Sequence, residues 1–452
     1  MSVINQTKKY ELTLVAISTK DKLNKNHKKC GEFFTDGKTI YWPLCDCVYL
    51  PSFNHSFLSF MHNQKNSINV DINSFLSFFT KPEDKQAVLN AIFSADAFTT
   101  EKYSLKTINK TPTHQHNFIV DLTKYGKFVK VAQVSAEAES FAKKLMDMPG
   151  NYLTADNFEK IIKSKFQGMP KIKLSVLHND QLLKKKMGLI TAVGQVSPKE
   201  NKPRIIVVEY NNAPKKNKLA LVGKGLTFDT GGLNLKPGEF MTGMHMDMSG
   251  AAITLANIYA LAKLKIETNV VGVATITSND IGPHAYRVND VLTSYDGRTV
   301  EILNTDAEGR LALADGITYA KRDLKANTIV TVATLTGAIL VALGDLYTGI
   351  WATDEAEWAI LKTAAEQAPE LIWRMPLHDV FQKEIINNSR IADMANISAG
   401  RKGSSNTAAE FLNLFAKDTN FIHADIAGST EFKKQSVPAL FKTLFNFAKA
   451  YK

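Results

Sequence analysis

Cysteine is almost missing from this chain. Only Cys30, Cys45 and Cys47 occur in 452 residues. An odd, sparse set provides no disulfide framework and points to a reducing compartment. Cys45-Asp46-Cys47 has no second pair and no neighbouring histidine ligands, which argues against a zinc site there. Long hydrophobic runs are missing too. The N-terminal apolar run, Leu12 to Ile17, is too short for a signal peptide core or a spanning helix. The expectation is a soluble cytoplasmic protein with no membrane partner. Acidic residues are outnumbered, 44 against 55 basic ones, for a net charge of +11. Such an excess can attract nucleic acid, but no helix-turn-helix, zinc-finger or RNP-type signature accompanies it. The positive charge is nearly all lysine and dispersed, with short clusters at Lys184-Lys185-Lys186 and Lys215-Lys216. A solvated lysine-rich surface is the favoured reading.

What is present is ordinary globular material. Hydrophobic residues at 44% and charged residues at 22% argue against disorder, and the length allows two or three domains. The predicted class is α/β, a C-terminal α/β/α sandwich with a mostly parallel central sheet after a smaller mixed α/β N-terminal domain. The predicted boundaries are 1–134 for that domain, 135–165 for a helical linker and 166–452 for the catalytic part.

In the N-terminal part, alternation marks strands at Tyr10–Ser18, Thr39–Trp42, Cys47–Leu50, Phe75–Phe79, Asn117–Leu122 and Lys127–Val134, and a helix at Gln86–Phe93. His55, His62, His114 and His116 are scattered and form no constellation. Ser135–Met148 reads as an amphipathic helix stopped by Pro149-Gly150, and Thr154 as the cap of the next. Beyond residue 170 apolar β-branched runs alternate with helical stretches. The runs are Ile172–Leu177, Arg204–Tyr210, Leu219–Gly223, Val270–Ile276 and Thr328–Leu335. The helices are Ala251–Leu264, Leu311–Arg322, Trp358–Gln367 and Thr407–Lys417. Alternation of that kind implies a sheet buried on both faces by helices, with ligands at the carboxyl ends of its strands.

Two stretches carry chemistry. Asn304-Thr305-Asp306-Ala307-Glu308-Gly309-Arg310-Leu311 sets Asp306 and Glu308 two positions apart, a spacing that aims both side chains one way in an extended or tightly turned segment. Two carboxylates directed at one point repel unless a cation lies between them. A solvated acidic turn is the blander reading, and alone the motif favours it. The second stretch shifts the balance. Gly223-Lys224-Gly225-Leu226-Thr227-Phe228-Asp229-Thr230-Gly231-Gly232 follows a predicted strand, with Lys236-Pro237 and Met244-His245-Met246-Asp247 after it. The third glycine of a dinucleotide fingerprint is replaced by Phe228, and no phosphate-loop, H-E-x-x-H or G-x-S-x-G pattern appears. Four carboxylates gathered at strand ends, Asp229, Asp247, Asp306 and Glu308, are too much charge to bury uncompensated. Two divalent cations would balance them. Carboxylate oxygens with an amine suit Mn²⁺, Zn²⁺ or Mg²⁺, and Lys224 would ligate only as the neutral amine.

These motifs resemble the leucyl aminopeptidases (cytosol aminopeptidases). The resemblance rests on N-T-D-A-E-G-R-L, on G-K-G-x-T-F-D-T-G-G-L-x-L-K-P and on M-H-M-D-M-S-G-A-A. It extends from about residue 137 to the end, through Ala333–Ala338, Trp373-Arg374-Met375-Pro376 and His423–Gly428. It implies a two-metal exopeptidase acting on peptides, usually a homohexamer. Carried over by position, Lys224, Asp229, Asp247 and Glu308 would hold one ion. Asp306 would complete the other site, with Asp229 and Glu308 shared. Lys236 would polarise the scissile carbonyl, and Arg310 would anchor a bicarbonate acting as general base. Met244, Thr334, Leu335 and Gly337 would line the pocket for the N-terminal side chain, apolar and leucine-like by preference.

Three departures fall near the expected site. His245 stands where the family often has lysine or arginine, Ser278-Asn279-Asp280 replaces a frequent E-N, and Arg287-Val288-Asn289-Asp290-Val291 lacks the common Pro-Gly turn. They bear on loop shape and substrate preference. Two rivals stand beside the aminopeptidase reading. One is a nucleic-acid-binding protein, supported only by net charge. The other is an inactive scaffold, opposed by the seven intact polar positions.

Overall fold

The computed structural model describes residues 3–4, 9–24, 28–45, 48–100, 103–108, 114–214, 217–400 and 402–451. Cys47 and the Lys215-Lys216 cluster lie outside them. The chain divides into two units, residues 1–140 with 365–370, and residues 141–364 with 371–452.

The first unit is built on a sheet in the order Val3–Ile4, Asn117–Ile119, Asn69–Asp71, Thr13–Ser18, Thr39–Leu44, Phe34–Thr35. An aromatic cluster fills its core, with Trp42 packed within about 6.4 Å of Phe53, Phe57, Phe60 and Phe75, ring centre to ring centre. Three predicted strands here are not strands. Lys127–Val134 lies inside a helix running Leu122–Met146, because Tyr125, Val129, Ala132 and Ala136 make one buried stripe whose 4-3-4 spacing is helical. Phe75–Phe79 overlaps the helix Ile72–Leu76, started by Asp71, whose carboxylate accepts from the Ser74 amide at 3.4 Å. The strand expected at Cys47–Leu50 gives way to a helix from Leu50, with Pro51 in the first turn, where a missing N–H costs nothing.

The second unit holds the predicted sandwich. Its sheet runs Ile372–Arg374, Thr348–Ala352, Asn420–Asp425, Thr328–Ala333, Lys218–Asp229, Asn269–Asn279, Arg204–Asn211, Ile172–His178. Every pairing from Asn420–Asp425 across to Asn269–Asn279 is parallel. Antiparallel pairs flank this centre. All of Asn269–Asn279 is buried, as a strand covered on both faces must be.

Adjacent residues of the central strand identify the two covering helices. A methyl group at Gly223 would stand 2.5 Å from the Ala251 Cα of helix Ser249–Lys263. Val222, pointing the other way, meets Gly316 of helix Gly309–Arg322. Gly250 is likewise obligatory, since a side chain there would drive into the Val332 carbonyl group. These close approaches bring the ends of both helices up to the carboxyl edge of the parallel strands.

Candidate active site at the strand ends

Lys224 sits in mid-strand, paired in register with Thr275, and its side chain is only 3% exposed. Asp229 ends the same strand. Gly231 (φ +86°) and Gly232 (φ +63°) then turn the chain back, and the Lys236 amide bonds the Thr230 carbonyl at 3.0 Å. Asp247 closes the short turn Met244–Met246. Asp306 and Glu308 precede the helix Gly309–Arg322, so the turn places both at one helix N-terminus.

The polar groups interleave by charge. Lys224 Nζ lies 2.8 Å from Asp247 Oδ2 and 3.0 Å from Glu308 Oε1. Lys236 Nζ lies 2.9 Å from Asp229 Oδ2 and 2.6 Å from Asp306 Oδ1. Oxygen atoms of Asp229, Asp306 and Glu308 fall within 4.8 Å of one another. Depth differs among them. Asp306 is 30% exposed and Lys236 15%, whereas Asp229, Asp247 and Glu308 are at most 5% exposed. The pocket therefore opens on the Asp306–Lys236 side.

Burial raises the Glu308 carboxyl well above its usual range, with Asp229 adding to the rise and Lys224 opposing it. Burial also raises Asp247, against the pull of Lys224, and Asp306, where Asp229 adds to it. For Lys224 and Lys236 burial works against the charge, but the surrounding carboxylates outweigh it and hold both ammonium groups above the ordinary lysine value. Arg310 is pushed down to about 10 by burial, with Glu308 and Asp425 countering. Its Nη1 donates to the Asn396 carbonyl at 2.8 Å.

This set of donors fits cations. Glu308 Oε2 is buried and has no hydrogen-bond partner among the described residues, an arrangement that costs free energy unless something positive meets it. Arg310 Nε is buried in the same condition, a donor suited to an anion. Lys224 as an ammonium is a counter-charge, and as a neutral amine it would be a ligand.

Sequence reading missed several supports. Asn279 Nδ2 donates to Asp229 Oδ1 at 2.9 Å and to the Thr305 carbonyl at 3.1 Å. Tyr286 adds a 2.6 Å hydroxyl bond to that carbonyl. Asn396 Oδ1 accepts from the Leu303 amide at 2.8 Å. Asn279 had a signal, standing in the Ser278-Asn279-Asp280 departure noted above, whereas Tyr286 and Asn396 are lone residues that only the fold reveals. The missing Pro-Gly pair does not abolish its turn. Asn289 adopts φ +72°, which asparagine tolerates, and the Asp290 amide reaches the Arg287 carbonyl at 3.1 Å.

Of the four expected pocket residues, Gly337 lines a cavity of about 590 Å³ with Ala338, Val341, Ala342, Met375 and Ser405. Met244, Thr334 and Leu335 are half-buried and lie outside that lining. Thr334 instead touches the charged cluster through its hydroxyl and carbonyl. A more open cleft of about 730 Å³, with Arg374, His378 and Glu410 on its walls, includes none of the seven polar groups.

Comparison with known proteins gives this chain a class. Residues 140–443 match the model of the cytosol aminopeptidase family, catalytic domain. A probable cytosol aminopeptidase of Mycoplasma pneumoniae is 40% identical over 405 residues, 88% of either chain. That of Mycoplasma genitalium is 38% identical, covering 88% of this chain and 89% of its own. Among solved structures, the leucyl aminopeptidase of Leishmania major in complex with actinonin superposes with TM-score 0.86 at 22% identity. That match covers 100% of this chain and 94% of the other, and it shows the shared fold. The fold and the sequence matches thus define a hydrolase of the aminopeptidase class. The chain belongs to the cytosol aminopeptidase family. Among the described residues no helix is long and apolar enough to cross a membrane.

Proposed function

We propose that the protein removes N-terminal residues from peptides, apolar and leucine-like ones by preference, with two divalent cations per subunit. The observation that carries this reading is the interleaving of four carboxylates with Lys224 and Lys236 at the ends of parallel strands. Lys224, Asp229, Asp247 and Glu308 would hold one ion. Asp306 would complete the second site, with Asp229 and Glu308 shared. When bound, such a pair supplies an activated water and a Lewis acid at neutral pH.

The chain's own groups do the rest. A peptide entering from the open side meets Lys236 first. Its ammonium, kept charged by Asp229 and Asp306, can donate to the scissile carbonyl oxygen as negative charge develops there. Arg310, held by Asn396 with Nε spare, suits a bicarbonate that would take the proton of the attacking water. The cavity beside Gly337 is walled by Ala338, Val341, Ala342 and Met375 and suits an apolar side chain. Carboxylate oxygens with an amine suit Mn²⁺, Zn²⁺ or Mg²⁺.

The test is hydrolysis of leucine anilide before and after chelation, with each ion restored separately and Asp306→Ala alongside. Activity lost to the chelator, regained with metal and missing in the variant supports the proposal. A folded wild-type protein that cleaves nothing under any ion overturns it.

A further inference from the structure

Asp425 is 1% exposed, and both of its carboxylate oxygens are held by hydrogen bonds. It ends the strand Asn420–Asp425, in parallel register with Ala333. Its Oδ1 accepts from the Leu335 amide at 3.1 Å and the Ala427 amide at 3.2 Å. Its Oδ2 accepts the Thr336 hydroxyl at 2.7 Å, and that hydroxyl also meets Ser405 Oγ at 2.8 Å. Residues 335 and 336 are thereby fixed immediately after Thr334.

Thr334 faces the charged pocket with its carbonyl and its hydroxyl. Its carbonyl accepts from Lys224 Nζ at 2.9 Å, and its hydroxyl donates to Asp247 Oδ1 at 2.7 Å. One residue thus orients one lysine and one carboxylate, and it has no contact with Asp229 or Asp306 among the described hydrogen bonds.

We propose that Asp425 is a positioning residue, which through the pinned Thr334–Thr336 loop sets Lys224 and Asp247 for the ion that those two would hold. The inference rests on the two-cation reading above. Thr334 is the outer partner that orients both ligands, a role whose loss typically costs 10- to 100-fold in metal affinity or activity, and Asp425 acts through it.

The experiment titrates the full-length protein with Mn²⁺ and with Zn²⁺ by calorimetry, for wild type, Asp425→Ala and Thr336→Val. Asp306→Ala serves to identify which binding step belongs to the other ion. In Asp425→Ala the step assigned to Lys224 and Asp247 should weaken by about tenfold or more while the other moves less than about twofold. On leucine anilide, kcat should fall with KM nearly unchanged. Thr336→Val keeps both Oδ1 bonds and should show a smaller loss at the same step.

Equal weakening of both steps, or none, overturns the proposal, because a general loosening of the fold would not choose between ions. If Asp425→Ala does not fold, Thr336→Val decides: a loss confined to the one step supports the proposal and no loss overturns it. A wild-type protein that binds no ions removes the underlying reading as well, and is told apart by the wild-type titration alone.

Discussion

Gly309 lies directly beneath the side chain of Lys224. A methyl group in its place would stand 2.7 Å from Nζ and closer still to Cε. The glycine between Glu308 and Arg310 is therefore a seat for the lysine, and the lysine's position between Asp247 and Glu308 depends on it. Gly309→Ala should leave the helix intact, since alanine is the better helix former. It should shift Lys224 by roughly an ångström, a displacement of the kind that costs about 10²-fold. The check is kcat/KM on a leucine anilide beside the far-ultraviolet circular dichroism. Unchanged kinetics would show that Lys224 has room to move.

Lys236 offers a cleaner separation of binding from chemistry. It is part-exposed, so Lys236→Ala should not unfold the chain. If its ammonium meets the carbonyl oxygen only as charge develops, kcat should fall about 10²- to 10³-fold, as for the loss of one oxyanion donor. KM should change little. A rise in KM at constant kcat would assign Lys236 to ground-state binding.

Several lysines adopt backbone angles that suit glycine. Lys186 (φ +60°) and Lys265 (φ +55°) follow helices. In both cases the next amide bonds the carbonyl five residues back, Met187 to Leu182 and Ile266 to Leu261, each at 3.0 Å. That is the helix-ending turn in which the left-handed residue is ordinarily glycine. Lys186→Gly and Lys265→Gly should each stabilise the protein by about 1 kcal/mol, read as a higher urea midpoint at constant slope. Midpoints that stay put would mean the lysine side chains make compensating contacts.

His423 ties acid sensitivity to the catalytic unit. It is fully buried, stacked on Trp351 with ring centres 5.3 Å apart, and its Nδ1 meets Thr331 Oγ1 at 2.8 Å. Burial, helped by the charge of Arg310, pushes it down from 6.5 to about 3. The folded pKa is below the unfolded one, so the unfolded chain takes up the proton first. Stability is full above about pH 6.5 and is lost as pH falls towards 3, at roughly 1.4 kcal/mol per pH unit for one proton. His423→Phe keeps the stack and should make urea midpoints between pH 6 and 4 less pH-dependent. An unaltered slope would assign the acid loss to other groups.

Asp306 and Glu308 were legible in sequence because their spacing survives in a turn, and Lys224 and Asp229 because glycines flank them. The central strands were legible because burial on both faces leaves an apolar run with nothing alternating in it. Lys127–Val134 was not, since Phe128, Val129, Val131 and Val134 give a short window that two periods fit equally. Only the longer stripe from Tyr125 to Ala136 resolves it. Asn279, Asn396 and Asp425 act across 50 to about 90 residues of sequence. Their partners are set by strand order, which local pattern does not encode.

Lys224 stands in the middle of a strand hydrogen-bonded on both sides, to Asn269–Asn279 and to Thr328–Ala333, with a glycine before it and a glycine after it. The placement of its backbone is thus inherited from the pairing of whole strands, and the Thr334 loop and Gly309 have only its side chain left to aim. A slip of one residue would turn the lysine to the opposite face and present hydrogen where an amine should be. It would also press a side chain into the space that Gly223 leaves for Ala251, so the covering helix rejects it. The glycines that frame the lysine thus proofread its strand, because helix Ser249–Lys263 closes only on the register that keeps them beneath it.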